Sequence, residues 1–456
     1  MAMKNIKLSL HPGRLVLISF SLVIFMGALL LRLPFASRIE GGVSWINALF
    51  MSASATCVTG LSVLDVGTEL TFFGQAVILF LIQIGGLGIM TLSVFIMLLF
   101  RQNVSLSSIL SVNFQPQYTQ AINFLNILVF VLGMTFCIEG LGAVLLFLRF
   151  RELHSLPEAL FSSVFHSISA FCNAGFSLYP ESLGRFQKET FIPMVFMGLI
   201  ILGGLGFMLI DEIRVWMFRK LRGLPMKLSL HTKICLSMTA ILIFSGAGVL
   251  YLLERQNLLE GLSGWQQAIN AFFLSVTART AGFNILETPS LSNATLFFLM
   301  GLMFVGACSG STAGGVKVTT IAVLFALIRS KITQGSAALF NRKIPSATII
   351  RSLSTFAASL FVILVSVFLF LVSEHVGVSH QDLKGSFLDQ LFEVTSAFGT
   401  VGLSTGITEG LTTLGKSMII FMMFAGRVGP LTLGVLFLSG KPKAVFDYVE
   451  EDVVIG

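Results

Sequence analysis

The sequence predicts an all-α membrane protein with four span–pore-loop–span repeats in one chain, arranged around a pseudo-fourfold pore. Three observations predict it. The 456 residues are 55% hydrophobic and 11% charged, with a mean hydropathy of +0.91; a soluble domain carries roughly 25% charged residues. Long and short apolar stretches alternate four times. Each short stretch ends at a glycine motif: Val58-Thr59-Gly60, Asn173-Ala174-Gly175, Thr280-Ala281-Gly282 and Thr400-Val401-Gly402. The glycines lie 115, 107 and 120 residues apart, intervals too long for a solenoid repeat and regular enough for one membrane module used four times.

The long stretches are 14–33, 74–100, 122–149, 191–217, 232–253, 295–329, 348–373 and 416–439. Most exceed the roughly 20 residues that cross a hydrocarbon core as helix. The short stretches, 45–57, 158–172, 265–279 and 385–399, are too short for this and read as half-helices that enter the membrane and return extended. The repeats are then 1–120, 121–231, 232–347 and 348–456, the last with a C-terminal tail and the third with a broken second span. The first apolar run follows Lys4, Lys7 and Arg14 without an Ala-x-Ala site, so it reads as a retained span.

Charge placement sets the orientation. With the N-terminus inside, the inner connections hold Arg101, the six basic residues between Arg214 and Lys233, Arg329 to Arg351, Lys441 and Lys443. Fewer basic residues fall outside, which matches the positive-inside rule. Both termini are then cytoplasmic, the half-helices enter from outside, and the net charge of +7 does not call for nucleic acid. The repeat also shows in Ser54-Ala55-Thr56, Ser169-Ala170-Phe171, Ser275-Val276-Thr277 and Ser396-Ala397-Phe398, and in Phe50, Phe161, Phe272 or Phe273, and Phe392. Gly85-Gly86-Leu87-Gly88 and Gly203-Gly204-Leu205-Gly206 occupy matching places in two second spans.

A cation that leaves water must be given oxygens in place of its hydration shell, and rings of backbone carbonyls do this. Glycine reaches the φ > 0 angles that turn successive carbonyls toward an axis. A half-helix ending at each motif aims its negative end at the cavity. The twelve motif residues are therefore the expected filter. Asn173 stands where the equivalents are Val58, Thr280 and Thr400, so the ring is not chemically fourfold. Arg279 beside the third motif is expected to buttress its loop through carbonyls, or to repel ions if it faces the path. Asp65, Glu181, Glu287 and Glu409 follow the four glycines, either as a vestibule that concentrates cations or as ordinary loop charge.

The sixth span is expected to be the only one strongly interrupted. Apolar Thr295–Val305 and Val318–Ile328 flank Gly306-Ala307-Cys308-Ser309-Gly310-Ser311-Thr312-Ala313-Gly314-Gly315. That middle is too rich in Gly, Ser and Thr for helix, and irregular backbone at membrane depth lines a cavity or a path. Gly306, Ser309, Gly310, Ser311, Thr312, Gly314 and Gly315 form the expected gate, with Lys317 holding the loop or snorkelling. Arg427, expected near the middle of the last span, needs a partner, because a central arginine costs about 2.5–3.5 kcal/mol on insertion scales. Carbonyls or hydroxyls of the 306–315 loop are candidates, and Glu139 is the rival. The five cysteines are odd in number and form no CxxC pair, against a disulfide framework or zinc site. No Walker A or GxGxxG unit occurs, so nucleotide control would need another chain. Paired catalytic groups at depth are lacking, so an enzyme is not expected.

The motifs Ser54 to Ser62 (SATCVTGLS), Ser169 to Ser177 (SAFCNAGFS), Thr277 to Asn284 (TARTAGFN) and Ser396 to Ser404 (SAFGTVGLS) resemble those of the Trk/Ktr/HKT potassium transporter superfamily, in particular KtrB-type membrane subunits. The resemblance covers nearly the whole chain. It implies potassium uptake across the cytoplasmic membrane, with Gly60, Gly175, Gly282 and Gly402 as the filter glycines and K+ as the transported ion. It implies an intramembrane gate loop with a nearby arginine, matched by 306–315 and Arg427. It also implies a homodimer, a cytosolic KtrA-type ring of nucleotide-binding RCK domains, and Na+ as an activator, with no cofactor in this chain. In some plant relatives a serine at the first filter position accompanies sodium transport; Gly60 points to potassium. The Tyr-Gly that ends a potassium-channel filter is missing, which suggests a shorter filter. The alternative is an ion-coupled secondary transporter of another cation such as sodium.

Overall fold

The computed structural model describes residues 12–88, 124–375, 377, 379 and 385–429. The expected inner charges Lys4, Lys7, Arg101, Lys441 and Lys443 and the span ends 89–100 and 430–439 lie outside the described residues. Fourteen α-helices are described: α1 Pro12–Leu31, α2 Trp45–Cys57, α3 Phe72–Gly86, α4 Phe124–Phe150, α5 Leu156–Cys172, α6 Phe191–Leu205, α7 Phe207–Leu221, α8 Leu230–Glu254, α9 Gly264–Thr277, α10 Asn293–Phe304, α11 Val318–Ile332, α12 Ser346–His375, α13 Ser386–Gly399 and α14 Thr413–Val428. The one described sheet is a short antiparallel ribbon pairing Ala338–Leu339 (β1) with Arg342–Lys343 (β2).

The helices fall into a recurring order of long helix, half-helix and shorter apolar helix. Val129–Phe150 within α4, α8, and Ser346–Glu374 within α12 are each long and apolar enough to cross a membrane. The half-helices α2, α5, α9 and α13 have 13 to 17 residues, about 20–25 Å at 1.5 Å per residue. Side-chain caps start two of them: Ser44 accepts from the Asn47 amide, and Ser263 forms a capping box with Gln266.

Polarity is distributed as lipid requires. Ile18, Leu22 and Phe25 on α1 and Phe361, Leu364 and Phe368 on α12 are exposed, while Ser52, Ser54, Ser167, Ser169, Ser275, Thr277 and Ser396 on the half-helices are fully buried. Buried hydroxyls need partners, and two sets on the half-helices find them. Ser52, Ser167 and Ser275 donate to Ile24, Glu139 and Ile243 carbonyls of the preceding long helix at 2.6, 2.6 and 3.0 Å. Opposite them stand Gly27, Gly142 and Gly246, where a Cβ would collide with the serine hydroxyl.

These bonds correct the sequence alignment of the third repeat. Ser275 is the partner of Ser52 and Ser167, not of Ser54 and Ser169. Thr277 takes the latter role, because the TARTAG segment is one residue shorter than SATCVTG. The fully buried aromatic Phe273 then matches Phe50 and Phe392. In α5 the matching buried ring is Phe165 rather than Phe161, which is only partly buried.

The expectation that only the sixth span is broken is overturned. The predicted span 191–217 is two helices, α6 and α7, bent by 96° at Gly206. Gly206 has φ 82, and Gly88 and Gly429 after α3 and α14 have φ 85 and 91. Clustered glycines weaken the helix and supply the positive φ that ends it. The interruption of the sixth span is thus one of four helix ends at comparable places.

Candidate functional site

After each half-helix the backbone turns into the left-handed region, at the cap of α2, α5 and α13 and three residues past the end of α9. Val58, Asn173, Thr280 and Thr400 have φ of 58, 60, 76 and 49, and the glycine two residues later has φ of 92, 71, 75 and 95. Asparagine adopts this conformation readily, whereas a β-branched residue is a true outlier there. Three such residues at one position are strain held in place by the surroundings. Asn173 therefore shares its neighbours' backbone, although its chemistry differs. Its amide nitrogen, assigned by the hydrogen-bond pattern, donates to the Ala170 and Ile200 carbonyls at 3.0 and 3.2 Å.

The four glycines close on one another. A Cβ on Gly60 would lie 3.0 Å from the Cα of Gly175, one on Gly175 would lie 3.2 Å from that of Gly282, one on Gly282 would lie 3.1 Å from that of Gly402, and one on Gly402 would lie 3.0 Å from that of Gly60. The carbonyls of Ala174, Ala281, Val401 and Thr59 sit at the same four contacts. These contacts join eight of the twelve expected filter residues, the four glycines and the residue before each, and bring together chain segments more than 340 residues apart. Both positive φ and close approach exclude a side chain at the glycines.

A second set of hydroxyls braces this ring. Ser54 and Ser396 accept the amides of Gly60 and Gly402, both at 3.1 Å. Ser169 and Thr277 donate to the carbonyls of Phe176 and Phe283, the residues after Gly175 and Gly282, at 2.8 and 2.9 Å. Each brace ties the end of a half-helix to its return segment. Sequence reading noted the serines as repeat markers and missed this role; a hydroxyl five or six residues before each glycine is the signal.

The loop between α10 and α11 packs directly against this ring. A Cβ on Gly314 would collide with the Thr400 side chain, and one on Gly315 would lie 3.4 Å from the Cα of Gly399. The loop starts and ends on itself: the Gly306 amide donates to Val316 at 2.9 Å, beside a parallel bridge between Val305 and Val316. Ser311 donates to the Cys308 carbonyl at 2.7 Å, and Ser309 meets Thr319 at 3.3 Å. Gly310 and Gly315 take φ of 78 and 64.

The break at Gly206 and this loop complete each other. Bending the chain leaves carbonyls at the end of α6 without the amides one turn on. The Cys308 amide takes the Gly204 carbonyl at 3.1 Å, and the Thr312 amide takes that of Gly203 at 3.4 Å.

Two cations pin the loop. Lys317 donates to the Ala313 and Gly314 carbonyls at 2.5 and 3.3 Å, so it holds the loop rather than snorkelling. Arg427 is buried and donates to the Thr312 carbonyl, as expected, and also to the Gly85 carbonyl at the end of α3. It stands in the last turn of α14 and not midway along a continuous helix; a cation is favoured at that end of the dipole. Gly426-Arg427-Val428-Gly429 is a third version of the Gly-Gly-Leu-Gly run, with arginine in the place of Gly86 and Gly204.

Glu139, the rival partner, is engaged elsewhere: it accepts from the Gln83 amide at 3.2 Å and the Cys172 thiol at 3.6 Å. Arg279 is buried and donates to the Thr239 hydroxyl at 3.4 Å, a hydroxyl and not the expected carbonyls. It lines a small cavity with Ile200, Gly204, Val276 and Ala307. Of the four acids, Glu181, Glu287 and Glu409 are exposed, whereas half-buried Asp65 caps its own turn by accepting the Thr68 amide at 2.8 Å. His166 is buried among Ser162, Ser177 and Tyr179, a structural network of hydroxyls.

Residues 5–446 match the TrkH family model, described as cation transport protein. The chain is 39% identical over 454 residues to Ktr system potassium uptake protein B of Bacillus subtilis, covering 98% of this chain and 97% of that protein. It is 35% identical to the potassium/sodium uptake protein NtpJ of Enterococcus hirae, covering 99% of each. The crystal structure of the potassium transporter TrkH from Vibrio parahaemolyticus superposes with a TM-score of 0.72 at 20% identity, over 96% of this chain and 87% of that one, and shows the same fold. These relatives are ion transporters and not enzymes. The chain belongs to the TrkH family of membrane cation transport proteins.

Proposed function

We propose that the protein takes up potassium across the cytoplasmic membrane through a pseudo-fourfold pore whose selectivity filter is the glycine ring. The observation that carries this reading is the closure of Gly60, Gly175, Gly282 and Gly402 upon one another with four carbonyls at the contacts. Carbonyls held by hydroxyl braces replace hydration water, and the half-helix ends face the ion with their negative poles. The four repeats, 1–120, 121–231, 232–347 and 348–456, each supply one quadrant. Both termini lie in the cytoplasm.

The loop 306–315, with Lys317 and Arg427, is the gate. Its contact with Thr400 and Gly399 supports this role, since anything that passes the fourth quadrant meets the loop next. Release of Arg427 from the Thr312 and Gly85 carbonyls frees the loop to move aside.

The full coverage of Ktr relatives supports a membrane subunit that works with other Ktr subunits; the family resemblance implies a homodimer controlled by a cytosolic KtrA-type RCK ring that carries the nucleotide, with sodium as an activator. A second reading, transport of sodium as well as potassium, is favoured by the similarity to NtpJ. The test is flux into proteoliposomes under potassium, rubidium or sodium gradients, with and without the ring and nucleotide. Potassium and rubidium flux well above sodium flux is expected. Equal flux of all three, or flux that needs an opposing ion gradient, would sink the first reading.

A further inference from the structure

Helix α7 leaves α6 at 96° and is tied to the end of a spanning helix. Glu212 accepts the Ser229 amide at 2.5 Å and the Ser229 hydroxyl at 2.8 Å, and also the Thr232 hydroxyl. Ser229 caps α8, a 25-residue span, so α7 lies crosswise at the membrane end of α8. Its Met217, Phe218 and Leu221 are exposed and share one arc of the helix.

Arg219, Lys220, Arg222 and Lys227 flank or follow that arc. The nearby acids are already engaged: Asp211 pairs with Arg214 at 2.6 Å, and Glu212 holds α8. Among the described residues the four cations make no ion pair. Lys220 lies 4.8 Å above the Trp216 ring and Arg222 4.1 Å above that of Phe218, so these heads run along aromatic surface. An exposed apolar arc set among unpaired cations suits the boundary between headgroups and acyl chains.

We propose that α7 and the turn after it form a binding surface for anionic phospholipid headgroups. Met217, Phe218 and Leu221 seat among the acyl chains, and Arg219, Lys220, Arg222 and Lys227 hold the phosphates. Charge complementarity selects this occupant. A soluble subunit on the same face would need its own acids to neutralise four cations, whereas an exposed apolar arc tied to the end of a spanning helix suits lipid.

The test uses full-length protein with Trp45→Phe and Trp265→Phe, which leaves Trp216 as the single tryptophan. It is reconstituted with brominated phosphatidylglycerol or brominated phosphatidylcholine, and quenching of Trp216 is titrated. A preference for phosphatidylglycerol of at least about tenfold is expected, since four basic residues at roughly 1 kcal/mol each at an anionic surface exceed what a tenfold ratio needs. The preference should collapse in about 0.5 M salt. It should vanish when Arg219, Lys220, Arg222 and Lys227 are all changed to Gln, and survive in the charge-keeping R219K/R222K variant. Equal quenching by both lipids would overturn the proposal, since the helix would then sit in the interface without reading headgroups. Quenching by neither would also overturn it, because a protein would cover the face.

Discussion

The backbone amide of Cys308 donates to the carbonyl of Gly204 at 3.1 Å, so a loop in the second half of the chain finishes a helix in the first. The bend at Gly206 and the looped sixth span are two sides of one joint. A change on either side should be felt on the other.

Gly206→Ala tests that joint. Gly206 has φ 82, and a Cβ would fall 2.7 Å from the Gly310 carbonyl oxygen. With ψ 153 this backbone lies in a region that is essentially glycine's alone, and it costs about 1–3 kcal/mol for a residue with a side chain. A lower melting temperature and raised flux are expected, measured on the same purified sample. Unchanged flux in destabilised protein would show that the joint is only architectural.

Arg427→Ala removes the pin on the Thr312 and Gly85 carbonyls. A hydrogen bond from a charged group is worth about 1.5–3 kcal/mol, so losing one shifts the held state by roughly 10–100-fold. Potassium flux in proteoliposomes should rise severalfold. Arg427→Lys, which lacks the fork that reaches two carbonyls, should fall between. Abolished flux in well-folded protein would count against a pin.

Gly402→Ala should reduce flux at least about tenfold. The residue has φ 95, and its Cβ would strike the Thr59 carbonyl oxygen, a backbone atom that cannot rotate away. Flux that persists would place the ion path outside the ring.

Ser54→Ala and Ser396→Ala withdraw the acceptors of the Gly60 and Gly402 amides. A buried amide left unpaired costs about 1–3 kcal/mol. The ratio of potassium to sodium flux should drop. Ser52→Ala, whose hydroxyl bonds to Ile24 at 2.6 Å and not to the ring, should change thermal stability alone. An unaltered ratio in Ser54→Ala would remove the brace from the account.

Neutralising Glu181, Glu287 and Glu409 together should lower uptake at low ionic strength and leave it unchanged in high salt, where surface fields are screened. Asp65 is spared because its carboxylate caps a turn. Equal uptake at low salt would reduce these acids to ordinary loop charge.

The glycine motifs were legible because their demand is local: φ > 0 at a fixed place after a half-helix leaves its mark as Gly. The irregular segment 306–315 was legible for the same reason, as was a carbonyl of that loop as a partner of Arg427. The second partner, the Gly85 carbonyl, was not, because its separation of 342 residues leaves no trace in sequence spacing. The bend after Leu205 was hidden by hydropathy, since 191–217 reads as one apolar run. The Gly206 signal was there, in a Gly-Gly-Leu-Gly run noted as a repeat marker. The third repeat was misaligned because one missing residue before Gly282 shifts both serine registers, and only hydrogen bonds reveal which register holds.

Arg427 reaches back 115 residues to Thr312 and 342 to Gly85. A ribosome therefore finishes the molecule in a particular order: three quadrants and the loop are made before the fourth glycine and the pin exist. A chain that stops short of residue 400 leaves the ring open and the loop unpinned. Expression of chains ending before Thr400 should depolarise cells if such products persist in the membrane. Equal membrane potential with detectable truncated protein would show that the partial ring stays shut.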